Sequence, residues 1–227
     1  MANGYETEEE QIEAIKRWWQ ENGRAVVAGL ILAVIGFFGW QQWQSYQRSQ
    51  SLAAAQTYQG VLQALNEGDR QSAQERANQL ASDHGDSVQA VLANLWVASA
   101  YVEAGDYEVA EAALRQARDA AGNSGLRPLA TLRLAKVVDQ RGDRQAALDL
   151  LEPVSEGPYT ARYQELRGDI KATLGERESA VSAYQAAISA IEARYGAGGG
   201  GARERARHRG RIQLKLADLG AEVGTSS

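Results

Sequence analysis

No cysteine occurs anywhere in this chain, and there are only three prolines, two histidines and one methionine. Without cysteine there is no thiolate zinc site, no cysteine nucleophile and no disulfide, which suits an oxidising compartment where no cross-link is wanted. The two histidines, His84 and His208, lie far apart in sequence, and no HExxH or comparable ligand spacing occurs. Each is expected to be a solvated surface residue. No nucleophile–base–orienter set is visible either, so the sequence predicts no enzyme, no cofactor and no small-molecule substrate. β-Branched alternation is also scarce. Ala, Leu, Gln, Glu and Arg dominate instead, which predicts an all-α fold. The net charge is −5, which argues against a nucleic-acid partner. One local basic run stands out: Arg203, Arg205, Arg207, Arg209 and Arg211. It is expected to be a solvated helix start, with acidic lipid headgroups or an acidic partner as the alternative. Gly198 to Gly201 is followed by no GKS or GKT and preceded by no strand, so it reads as a flexible linker rather than a phosphate loop.

Charge is absent from one long stretch, Ala25 to Trp40, AVVAGLILAVIGFFGW. Its 16 residues would span about 24 Å as a helix at ~1.5 Å per residue, against a hydrocarbon core about 30 Å thick. The flanks extend it. Trp18 and Trp19 before the run, and Trp40 and Trp43 at its end, are indoles of the kind that settle at a membrane interface. Lys16, Arg17 and Arg24 can send their charges outward along apolar stems. The run is apolar all round, unlike a soluble amphipathic helix. It is therefore expected to be a transmembrane helix over residues 25–43. The basic residues precede it, which keeps residues 1–24 in the cytoplasm and exports residues 44–227. A cleaved signal peptide fits poorly, because 24 residues precede the core and no Ala-x-Ala site follows directly. Ala25, Gly29 and Ala33, with Gly36 near the same line, form a small-residue face. Such a face admits close approach of a second helix in lipid, although small residues are also common in spans generally.

The remainder carries a repeat. Gly68-Asp69, Gly105-Asp106, Gly142-Asp143 and Gly175-Glu176 are spaced 37, 37 and 33 residues apart. Five residues after each glycine stands Ala73, Ala110, Ala147 or Ala180. Seven before it stands Val61, Ala98, Ala135 or Gly168. Nine after it come Ala77, Leu114, Leu151 and Tyr184, and twelve after it Leu80, Ala117, Val154 and Ala187. A glycine accepts the left-handed conformation that ends a helix, and the next carboxylate can cap the helix that follows. Small residues on both helices let each pair pack closely, and each pair leaves a side that the next must cover. The pattern predicts about four helix pairs stacked as an α-solenoid, with the spacing logic of tetratricopeptide repeats. The usual aromatic positions are only partly filled, the closing proline is mostly missing, and two units run three residues long. Loops are expected at His84-Gly85-Asp86, Gly122-Asn123-Ser124-Gly125 and Glu156-Gly157-Pro158. The first helix is expected to start near Thr7, with Glu10 completing a capping box. Ile212, Leu216 and Leu219 give a last amphipathic helix able to cap the open end. Mapped through the repeat, the groove is expected to present Ser99, Glu103, Lys136, Gln140 and Asp169.

The N-terminal block adds detail: an acidic start, the AIKRWW element, an ENG turn at Glu21-Asn22-Gly23, the apolar run and a GW-x-x-W exit. With LRLAKVV at Leu132 to Val138, ELRGDI at Glu165 to Ile170 and a turn at Arg167-Gly168-Asp169, it closely resembles the YfgM family of Gram-negative bacteria. The resemblance covers almost the whole chain. Gly196 to Arg211 departs from it as an insertion, and so does the acidic run at the start. The resemblance implies a single-span protein of the bacterial inner membrane, N-terminus inside, with a periplasmic TPR-like domain. It further implies an ancillary partner of the Sec translocon that associates with a membrane-anchored periplasmic chaperone of the prolyl-isomerase type and helps hand over emerging proteins. The contrasting reading is an envelope scaffold or stress-response regulator with no direct role in translocation. If the small-residue face docks a membrane partner, replacing Gly29 and Ala33 together with leucine should reduce the partner recovered by co-purification; unchanged recovery would remove that face from the account.

Overall fold

A computed structural model of the chain describes residues 8–152, 157–195 and 201–220. It divides into two compact units, Met1–Ala53 and Ala54–Ser227. Among the described residues all regular structure is helical. The helices are α1 (Glu8–Asn66), α2 (Arg70–Asp83), α3 (Val88–Glu103), α4 (Tyr107–Ala120), α5 (Arg127–Gln140), α6 (Arg144–Leu151), α7 (Thr160–Thr173), α8 (Arg177–Tyr195) and α9 (Ala202–Asp218).

The first unit is occupied by α1. Its apolar side chains are exposed on every side: Leu30, Ile31, Leu32, Val34, Ile35, Phe37 and Phe38. Phe37 and Phe38 meet edge to face, and the rings of Trp40 and Trp43 lie 5.3 Å apart. By length and composition no single described helix is apolar enough to cross a membrane; Lys16–Arg24 and Val27–Asn66, bent by 51° to one another, meet that criterion only together. Glu21-Asn22-Gly23 is helical, not the expected turn. Thr7 lies outside the described residues.

The second unit contains the repeat, and its glycines explain why the chain turns where it does. Gly68, Gly105, Gly142 and Gly175 have φ of 78°, 81°, 95° and 80°. Each makes the same double bond pattern. The Gly68 amide donates to the Leu65 carbonyl at 3.1 Å, and the Asp69 amide reaches back to Ala64 at 2.9 Å. Matching pairs close the helices before Gly105, Gly142 and Gly175. This is the Schellman arrangement, which satisfies carbonyls that a helix end otherwise leaves bare. The acidic residue then opens the next helix. Asp69 accepts from the Ser72 amide at 2.9 Å, and Asp143 from Ala146 at 3.1 Å. Asp106 makes no such side-chain bond.

Tight turns bring the paired helices together, and small side chains let them touch. Ala73, Ala110, Ala147 and Ala180 are all fully buried, as are Val61, Ala98 and Ala135. Ala77, Leu114, Leu151, Tyr184, Leu80, Ala117 and Ala187 are buried too, while Val154 lies outside the described residues. The expected loops at residues 84–86 and 122–125 are present, and residues 157–158 lie in a non-helical stretch. Glu156 is outside the described residues. α6 has only 8 residues. The apolar core forms one cluster from Ala54 to Ile170, and a second made by α8 and α9 through Ala180, Tyr184, Ala187, Ile191, Ile212 and Leu216.

Arg167-Gly168-Asp169 is not a turn; it lies inside α7. Gly168 is there for space. A Cβ on it would sit 2.5 Å from Cε1 of Tyr184, and the Tyr184 hydroxyl donates to Asp169 at 2.7 Å. Gly168→Ala should therefore lower stability by roughly 1–3 kcal/mol through overpacking, measured by denaturant unfolding. Gly125→Ala, where a Cβ meets nothing within 4 Å, is the control. Equal midpoints for both variants would show that the Tyr184 ring yields freely.

Candidate interaction groove and its closed end

Successive first helices of the pairs, α3 and α5, face each other across a cleft of about 320 Å³. Leu95, Ala98 and Val102 from α3, Val137 from α5 and Leu114 from α4 supply its apolar lining. Ser99, Arg133, Lys136 and Gln140 supply its polar edge. The helix register accounts for this. Leu95, Ala98, Ser99 and Val102 follow the i, i+3, i+4, i+7 pattern of one helix face, as do Arg133, Lys136, Val137 and Gln140. Trp96 stands beside Leu95, half exposed, with its indole N–H donating to the Tyr58 hydroxyl at 3.2 Å. An apolar floor with a few polar groups at the rim suits a short peptide segment or a protruding side chain.

The structure brings Ser99, Lys136 and Gln140 together in this cleft. Glu103 is exposed at the end of the same helix and does not line it. Asp169 lies elsewhere. Its carboxylate is engaged within the molecule, taking Lys215 Nζ at 2.7 and 2.8 Å along with the Tyr184 hydroxyl. It is therefore corrected from an open groove contact to a member of the clamp that seats α9. Arg133 also lines the cleft; sequence reasoning missed it, though the repeat register read one turn earlier points to it. In the first unit Trp18, Trp19, Arg24, Trp40 and Trp43 are exposed. Ala33 is exposed as well, and a Cβ added at Gly29 or Gly36 would meet nothing within 4 Å. The Ala25 side chain lies outside the described residues.

The far end of the repeat is closed by α9. Ile212 and Leu216 are buried against α8, with Leu219 packed beside them, as expected of a capping helix. The arginine run is exposed at Arg203 and Arg207, as expected, but its end makes contacts across the domain. Glu165 on α7 is only 7% exposed, and it faces three cationic or donor side chains of α9. Arg211 binds it bidentately through Nε and Nη2, both at 2.9 Å; Lys215 Nζ and His208 Nε2 also lie at 2.9 Å. Arg209 pairs with Glu192 of α8 at 3.3 Å. His208, Arg209 and Arg211 are thus docking contacts, although the Arg211 side chain stays exposed. His208, Arg211 and Lys215 share one helix face, and Glu165 and Asp169 share another. Burial alone would raise the Glu165 pKa, but hydrogen bonds from Arg211, Lys215 and His208 outweigh it and hold the carboxyl down to about 2. Burial and donation to Asp169 push the Tyr184 phenol up.

On the second helices of the pairs lies another cleft, of about 450 Å³, between α4 and α6. Its buried Glu111 is held between Arg115 and Arg141, so its central charges are already matched. Among the described residues no three His, Asp or Glu converge as metal ligands would.

The Glu165 clamp has a defined pH sign. Its folded pKa lies below the ordinary 4.5, so its contribution is complete above that value and is lost as pH falls toward 2. Glu165→Gln should mimic this loss, costing roughly 1.5–3 kcal/mol for hydrogen bonds to a charged group. Hydrogen exchange should then speed up in α9 at neutral pH. Unchanged protection of α9 would mean that Ile212 and Leu216 suffice to dock it.

Residues 16–221 match the family model described as a tetratricopeptide repeat-like domain. A protein of Escherichia coli K12 named as an ancillary SecYEG translocon subunit is 33% identical over 184 residues, covering 81% of this chain and 88% of its own. One of Aggregatibacter actinomycetemcomitans with the same name is 35% identical over 180 residues, covering 79% and 88%. Among solved structures, MamA (residues 41 to the end) of Desulfovibrio magneticus RS-1 is 19% identical with a TM-score of 0.49, covering 74% of this chain and 87% of its own. The family-model match and the two translocon-subunit relatives, with the glycine turns, the buried alanines and the N-terminal block, fix the family: the chain belongs to the tetratricopeptide repeat-like family of ancillary SecYEG translocon subunits, the YfgM family.

Proposed function

We propose that this protein is a non-enzymatic, membrane-anchored interaction module that works beside the Sec translocon. Residues 25–43 anchor it in the bacterial inner membrane, residues 1–24 lie in the cytoplasm, and the repeats from residue 44 onward lie in the periplasm. The repeats dock translocon or client segments in the α3–α5 groove and help pass exported proteins to a membrane-anchored periplasmic chaperone of the prolyl-isomerase type. Trp18, Trp19, Trp40 and Trp43 hold the anchor at the lipid interfaces, and Ala25, Gly29, Ala33 and Gly36 offer a partner helix its approach.

The name shared by relatives with matching length supports the translocon part of this reading. The observation that carries the binding part is the open cleft between α3 and α5, whose apolar floor no described side chain fills. A tether also raises the effective concentration of such a groove near its membrane partners, so that weak contacts suffice.

Photo-crosslinking residues at Ser99 and Gln140 should give translocon or chaperone adducts in native membranes. The same residue at Ser182, exposed on α8, should give few. Adducts absent at Ser99 and Gln140 would favour an envelope scaffold or stress-response regulator instead.

A further inference from the structure

The repeat register compares two sites that the sequence does not place side by side. α9 ends at a left-handed glycine, Gly220, with φ 65°, and the Gly220 amide donates to Ala217 at 2.8 Å. These are the marks of the glycines that end α3, α5 and α7. α9 therefore stands in the register of the first helix of a fifth unit. Counted from their glycines, Arg211 in α9 and Arg133 in α5 hold the same position, nine residues before. The residues on the preceding helix also correspond. Glu165 and Asp169 of α7 match Leu95 and Ser99 of α3, ten and six residues before their glycines.

At the α7–α9 junction the cations of the later helix find carboxylates on the earlier one, at 2.7–2.9 Å. At the α3–α5 junction those facing positions are Leu95 and Ser99, and no carboxylate is supplied. Arg133 and the adjacent Lys136 line that cleft and form no ion pair with any described residue, Glu103 included. One junction is closed by ion pairs, while its equivalent is open, apolar-floored and cationic along one wall.

We infer that the α3–α5 groove takes an extended polypeptide segment in which an Asp or Glu side chain neighbours an apolar one. The acidic side chain pairs with Arg133 and Lys136, as Glu165 pairs with Arg211 and Lys215. The apolar side chain enters between Leu95, Val102 and Val137. A guanidinium favours such a carboxylate because its planar fork can bind both oxygens. The preference is local: the chain as a whole carries −5 and repels acidic peptides at long range. This inference rests on the groove being the docking site and adds the chemistry of what docks.

The test uses the full-length protein in detergent micelles and fluorescence anisotropy. The probe is a short acetylated, amidated peptide with one glutamate between leucines, so that only a side-chain carboxylate is available. Versions with glutamine or lysine in that place are the comparison. The glutamate peptide should bind about tenfold tighter than the glutamine one, equivalent to one net charge-assisted pair, and the lysine peptide weakest. In the Arg133→Glu, Lys136→Glu double variant the order should reverse, and a reversed preference also shows that the domain is folded. Equal binding of the three peptides, or an order that the double variant leaves unchanged, overturns the inference. Ser99→Trp, which fills the cleft, separates the two levels of the account. If it abolishes peptide binding that shows no charge preference, the groove stands and the acidic partner falls. If it leaves all binding intact, the groove reading falls as well.

Discussion

A left-handed glycine placed between two helices is the constraint on which the rest of this structure depends. At Gly68, Gly105, Gly142 and Gly175 the backbone has φ between 78° and 95°, a region where a side chain costs about 1 kcal/mol or more. That conformation reverses the chain at once and satisfies the last carbonyls of the outgoing helix. It also puts the incoming helix so close that the residue five positions later must be small. The fully buried alanines at 73, 110, 147 and 180 meet that demand. Turn and alanine together set how each pair packs, and stacking follows because no pair can cover its own apolar side.

Function follows from which faces the stacking leaves uncovered. First helices line up beside one another, so equivalent positions recur along one surface, and the chemistry of each junction depends on what the sequence places there. Between α7 and α9 it places Glu165 and Asp169 opposite Arg211 and Lys215, and the junction closes. Between α3 and α5 it places Leu95 and Ser99 opposite Arg133 and Val137, and the junction stays open at about 320 Å³. Of this charge cluster Glu165 alone is buried, and any misalignment of α9 would strand its carboxylate without partners. That suits a closing helix whose alignment with the last pair must be set.

Much of this was legible in the sequence because the demands are local. Glycine at a left-handed turn and alanine at a close contact recur at fixed spacing whatever surrounds them. Ile212 and Leu216 announced a capping helix for the same reason. Where sequence reading failed, the cause was distance or a second role for the same residue. The arginine run looked solvated because its carboxylate, Glu165, lies 43 to 50 residues away from His208, Arg211 and Lys215. Gly168 looked like a turn because glycines usually mark one, yet it sits in mid-helix to admit the Tyr184 ring. Asp169 held the expected register, but the partner that occupies it is α9. Arg133 is harder to see because the register identifies it only when followed along the whole helix face.

Partners are proposed to dock on the α3–α5 face of the repeat. Hydrogen exchange on the full-length protein in lipid nanodiscs, with and without added SecYEG translocon, tests this most directly. Exchange in α3 and α5 should slow when the translocon is present, with α9 unchanged because its contacts are internal. Slowing confined to the N-terminal unit, with α3 and α5 untouched, would contradict it.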